Sequence, residues 1–99
     1  MASTKKLLAC DFEVYGKVQG VFFRKNTEKQ ANLLGLRGWC MNTPNGTVKG
    51  QLEGDDIAIN EMKHWLQTVG SPKSRIDKAV FSEMKPIPDY SFKAFLIKR

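Results

Sequence analysis

Between Gly16 and Arg24 the chain reads Gly-Lys-Val-Gln-Gly-Val-Phe-Phe-Arg, and these residue types in this order suit the capture of an anion. Glycines at 16 and 20 permit positive φ angles and close approach of a ligand to the main chain, so successive N–H groups can converge on one concavity. An arginine in the first turn of a following helix adds a guanidinium that grips two phosphate oxygens, where the macrodipole already favours negative charge. The same residues also fit an ordinary strand-to-helix turn with a solvated arginine, and they match neither the GxGxxG nor the GxxxxGK[ST] phosphate pattern. A second group is needed, and Asn42 is the candidate. A side-chain amide can hold a water through its carbonyl oxygen while donating elsewhere, which no apolar residue can do. Followed by Thr43-Pro44-Asn45-Gly46, Asn42 also reads as the start of a turn.

The elements around these residues decide whether they can meet. Leu8, Cys10, Phe12 and Val14 alternate with smaller or charged residues, which predicts a strand ending at the glycine loop. Phe23, Thr27, Ala31 and Leu34 recur at helical spacing and Gly35 stands where a C-terminal cap belongs, so a helix is expected from about 22 to 34. Residues 36–42 and 47–53 read as the two strands of a hairpin around the Pro-Asn-Gly turn. Gly54-Asp55-Asp56 supplies the cap and first-turn acids of a second helix over 56–69, with Ile59, Met62, Leu66 and Val69 on one face and Gly70 and Pro72 as its stop. A strand is expected from 75 to 84, with imperfect alternation, and a short last one over 92–97 after the break at Pro86 and Pro88.

The resulting order, β-α-β-β-α-β with an extra strand, predicts an α+β fold. It is the ferredoxin-like split β-α-β two-layer sandwich, with an antiparallel sheet of four to five strands ordered 4-1-3-2 and two helices on one face. In this topology the glycine loop and the hairpin turn need not be neighbours. The end of the second strand can still approach the start of the first helix through the sheet.

Ninety-nine residues are enough for a single domain, 1–99, with residues 1–6 expected to fray. Sixteen Lys and Arg against ten Asp and Glu give a net charge of +6, which favours anionic partners without choosing among phosphate esters, acyl phosphates and nucleic acid. Cys10 and Cys40 lack metal-ligand spacing, no signal peptide is evident, and no stretch reaches the roughly twenty apolar residues of a membrane span. A cytoplasmic protein with no membrane association is expected. His64 sits among polar neighbours and reads as a surface residue, and Trp39 and Trp65 read as packing residues.

The stretch from Gly16 to Arg24 resembles the first motif of the acylphosphatase family, Gly-x-Val-Gln-Gly-Val-x-Phe-Arg, at every fixed position. Gly38-Trp39-Cys40-Met41-Asn42, followed by Gly46, Val48 and Gly54, is similar to the second. The resemblance runs from about Tyr15 to Ile76, including Val69-Gly70-Ser71-Pro72, and thins toward the carboxyl end, where Lys98-Arg99 replaces an aromatic ending. It implies hydrolysis of the carboxyl–phosphate bond of small acyl phosphates. The phosphoryl group would be held by the loop Gly16, Lys17, Val18, Gln19, Gly20 and Val21 together with Arg24, and water would be placed by Asn42. Since no cluster of His, Cys or carboxylates has ligand spacing, no metal and no cofactor are expected; inorganic phosphate is expected as product and competitive inhibitor, and with nothing to suggest an obligate interface a monomer is expected. The rival is an RRM-like nucleic-acid-binding module, which shares the topology and the basic charge. The third strand, Thr-Val-Lys-Gly-Gln-Leu-Glu-Gly, has no aromatic on which a base could stack, so nucleic acid is the weaker reading. A non-catalytic anion-binding domain is the other alternative.

Overall fold

The structure, a computed structural model, describes residues 6–98. The fraying expected of residues 1–5 and the character of Arg99 lie outside the described residues, while Lys6 is exposed. The strands are β1 (Leu8–Lys17), β2 (Arg37–Asn42), β3 (Val48–Gly54), β4 (Arg75–Phe81), β5 (Lys85–Pro86) and β6 (Phe95–Ile97), and the helices are α1 (Phe23–Leu33) and α2 (Asp56–Thr68).

These elements form one sheet in the order β4-β1-β3-β2-β6, with β5 beside β1. The expected 4-1-3-2 order is therefore present, and its neighbours pair antiparallel. The sheet as a whole is mixed, because β6 lies parallel to β2 and sets Ile97 opposite Cys40. Local pattern could not reveal this, since three residues carry no orientation signal of their own. What orients β6 is its docking: Lys98 N–H donates to the Cys40 carbonyl at 2.8 Å, and Phe95 is 1% exposed.

Alternation sets the layers. Cys10, Phe12 and Val14 of β1 pair across β3 with Leu52, Gly50 and Val48, and all six lie on the buried face. Gly50 leaves room for a ring, because a Cβ there would stand 2.7 Å from Cζ of Phe12. Burying side chains of this size stabilises by roughly 1.5–3 kcal/mol each, which pins the register. From α1, Phe23, Thr27 and Ala31 face the sheet at four-residue steps, and the Thr27 hydroxyl, fully buried, donates to the Phe23 carbonyl at 2.7 Å. In α2 the Asp55 carboxylate caps the first turn by accepting from Ala58 N–H at 2.8 Å, and Ile59, Met62 and Leu66 turn inward. Val69, expected on the same face, lies beyond the helix and is exposed. The strand expected over 75–84 ends at Phe81, and two residues of the following segment return to pair with Leu8 and Ala9.

Candidate active site

The loop between β1 and α1 is shaped by its own backbone. Gly20 has φ 75, which a glycine adopts at no steric cost, and Phe22 has φ 59 and precedes the helix. Val18 N–H turns back on the Gly16 carbonyl at 3.1 Å. Among the described residues the N–H groups of Gln19, Gly20, Val21, Phe22 and Phe23 meet no acceptor, so five consecutive free donors run through the loop into the first residue of α1. Helix macrodipole and free amides together suit this terminus to an anion.

Arg24, Asn42, Val18, Gly20, Phe22, Phe23, Lys25 and Ile97 line one open cleft of about 520 Å³. The two side chains singled out from the sequence thus share a cavity although eighteen positions separate them along the chain. Asn42 reaches it from the last position of β2, opposite Val48, and its Oδ1 is buried without a donor among the described residues. Arg24 is half-buried and forms no ion pair among the described residues. Behind it, Cys40 lies fully buried, its thiol 4.0 Å from the Arg24 carbonyl oxygen. Burial pushes that thiol up to about 12, with the Arg24 charge opposing the rise. Cys40 is therefore a neutral packing group and no nucleophile.

Gly16 belongs to β1 and has φ 129, and a Cβ there would stand 2.1 Å from the Arg75 carbonyl oxygen, so glycine is required by the irregular β1–β4 pairing between Tyr15 and Gly16. Lys17 pairs with Arg75 at the end of the same strand and is exposed, and Val18 and Val21 are buried. Neither Gly16, Lys17, Gln19 nor Val21 lines the cleft.

Gln19 instead makes the glycine loop and the hairpin turn neighbours. Its Nε2 donates to the carbonyls of Thr43 at 2.9 Å and Thr47 at 3.0 Å. Sequence reasoning missed the group behind this contact. The Thr43 and Thr47 hydroxyls lie 2.6 Å apart, Thr47 donates to Glu13 Oε2 at 2.6 Å, and Thr47 is 4% exposed. The paired threonines flanking Pro-Asn-Gly were the available signal, read only as turn chemistry.

A split β-α-β sandwich with an amide-rich helix terminus facing a strand-end asparagine defines an α+β anion-handling domain, and comparison with known proteins makes this specific. The family model described as Acylphosphatase matches residues 10–97. The chain is 50% identical to human Acylphosphatase-1 over 97 residues, 98% of each chain, and 46% identical to bovine Acylphosphatase-2 over 99% of each. Among solved structures, an acylphosphatase from Coxiella burnetii superposes with a TM-score of 0.84 at 28% identity, covering 98% of this chain and 100% of that one. An acylphosphatase from Bacillus subtilis superposes with a TM-score of 0.83 at 27% identity, covering 93% and 99%. The chain belongs to the acylphosphatase family and is an enzyme, and the RRM-like alternative is not favoured. The likeness extends well beyond Ile76, where the motifs thin out. No helix among the described residues is long and apolar enough to cross a membrane.

Proposed function

We propose that the cleft holds the phosphoryl group of an acyl phosphate between the free amides of the loop residues that line it, Gly20, Phe22 and Phe23, and the Arg24 guanidinium, with Asn42 presenting the attacking water. Family membership makes the chain a hydrolase of the carboxyl–phosphate bond. The observation that carries the residue roles is the meeting of Arg24 and the buried, unpartnered Asn42 Oδ1 in one cavity. Water on Asn42 attacks phosphorus, the bond from phosphorus to the acyl oxygen breaks in line, and one water proton passes to a phosphoryl oxygen. The leaving carboxylate has a conjugate acid with pKa of about 4 and departs as an anion, so no general acid is required. Positioning and preorganised positive charge then supply the rate, with the charge coming from backbone donors and a guanidinium. Among the described residues no group of three or more His, Cys, Asp or Glu side chains stands close enough to hold a metal ion. Under this reading inorganic phosphate is product and competitive inhibitor, and the chain acts as a monomeric single domain. A cytoplasmic location accords with its two free, buried thiols.

The test follows hydrolysis of benzoyl phosphate by absorbance, with inorganic phosphate as competitor, after chelation and dialysis. Activity should persist. Arg24→Gln should lose phosphate inhibition and most turnover together, and Arg24→Lys should rescue poorly, because a point charge cannot reproduce the planar fork. Near-normal catalysis by the lysine variant, or activity restored only by a divalent ion, would overturn the assignment.

A further inference from the structure

Asn26 and Thr27 stand side by side near the start of α1, and each bonds backward to the carbonyl four residues earlier. Asn26 Nδ2 donates to the Phe22 carbonyl at 2.9 Å, and Thr27 Oγ1 donates to the Phe23 carbonyl at 2.7 Å. Asparagine and threonine are poor helix formers, and bonds of this kind compete with the regular ladder, so helix propensity accounts for neither residue. Thr27 is fully buried, and its bond satisfies a hydroxyl in the core. Asn26 is only half-buried, so water could serve its amide and burial does not account for its bond.

The carbonyl that Asn26 holds belongs to a strained residue. Phe22 is the one residue other than glycine with a positive φ among the described residues, at φ 59 and ψ 27. That conformation is unfavourable for a bulky side chain, and burial does not offset it, since the ring is exposed. The Phe22 carbonyl already accepts from Asn26 N–H at 3.0 Å, and Nδ2 adds a second donor from the same residue. In a planar trans peptide the C=O and the N–H point in opposite directions. Pinning the Phe22 carbonyl onto Asn26 therefore fixes the direction of the Phe23 N–H. That N–H meets no acceptor among the described residues, and it belongs to a residue lining the cleft that Arg24 and Asn42 share. Asn26 itself does not line the cleft.

Resting on the acyl phosphate reading above, we infer that Asn26 is a positioning residue: by holding Phe22 in its left-handed turn it aims the Phe23 amide at the phosphoryl group, and it acts on the reaction through that amide without touching substrate. The phosphoryl group is common to substrate and product, so the effect falls on inorganic phosphate binding and on kcat/KM alike.

The experiment titrates inorganic phosphate by calorimetry, follows benzoyl phosphate hydrolysis and records the unfolding midpoint for the wild-type chain, Asn26→Ala and Asn26→Thr. Alanine removes the donor, while threonine supplies one that reaches the same carbonyl, as Thr27 does one position further on. In Asn26→Ala, phosphate affinity and kcat/KM should each fall about three- to tenfold, the span of one ordinary hydrogen bond. The midpoint should change little, because the helix propensity of alanine offsets the lost bond. Asn26→Thr should return both quantities to within about twofold of wild type. Unchanged phosphate affinity in Asn26→Ala overturns the assignment, as does an equal loss in both variants. A wild-type chain that does not hydrolyse benzoyl phosphate overturns the acyl phosphate reading itself, and does so before any variant is compared.

Discussion

Asn42 carries a carbonyl oxygen that is buried and without a donor among the described residues, and this determines what its removal should do. A structural asparagine in that position would spend its oxygen on a backbone N–H, since leaving a buried acceptor unpaired costs about 1–3 kcal/mol. Under the proposed function this acceptor is the one that takes the attacking water. Asn42→Ala is expected to leave the phosphate cradle intact and to lower kcat on the order of a hundred- to thousandfold, the usual cost of losing one preorganised hydrogen-bonding group. Inhibition by phosphate, turnover and the unfolding midpoint, measured on one preparation, separate binding from chemistry. Unchanged turnover with a modest loss of stability would reduce Asn42 to a turn residue.

At the scale of elements, the proposed site would depend on the contact that Gln19 makes between two segments. The amides ahead of α1 are useful only if held at a constant distance from the end of β2, and Nε2 of Gln19, shared between the Thr43 and Thr47 carbonyls, holds them there. Gln19→Ala should cost about 1–3 kcal/mol, because it frees two partly buried acceptors, and should weaken phosphate inhibition without abolishing turnover. Urea midpoints and the phosphate inhibition constant report both effects. A variant with lowered stability and unaltered phosphate affinity would confine Gln19 to folding. β6 serves the cleft in a comparable way. Docked parallel to β2, it brings Ile97 to the cavity from a part of the chain more than fifty residues beyond Asn42.

For the molecule as a whole, pH tests how closely core and site are joined. Burial raises Cys40 from its ordinary value of 9.0 to about 12, and Cys10 is raised by burial as well. A raised folded-state pKa means that the folded chain keeps a proton which the unfolded chain releases. This contribution is complete below about pH 9 and is lost as pH rises toward 12. Comparing urea midpoints of the wild-type chain and Cys40→Ala from pH 7 upward isolates it. The wild type should lead at neutral pH, because alanine leaves a cavity beside Arg24, and the lead should narrow above pH 9. A lead that stays constant with pH would show that Cys40 is not titrating from a buried state.

The sequence alone determined the element order, because helical and strand periodicities, turn residues and caps are all local, and its two motifs carried the family resemblance, which alone suggested pairing the glycine loop with Asn42. Val69 went astray for a tertiary reason: the periodicity continues past the point where α2 stops. The structure alone decided which motif residues line the cleft and which pack into the frame. Gly16 and Gly20 look equivalent in a motif, yet one is required by a carbonyl of β4 and the other by its own φ in the loop. Gln19, Thr43, Thr47 and Glu13 could not be joined in advance, since their hydrogen bonds cross between β1, the glycine loop and the hairpin turn. The strain at Phe22 and the parallel docking of β6 were equally hidden. A positive φ and a strand direction are set by what surrounds a segment, and residue types within the segment carry too little information to state them.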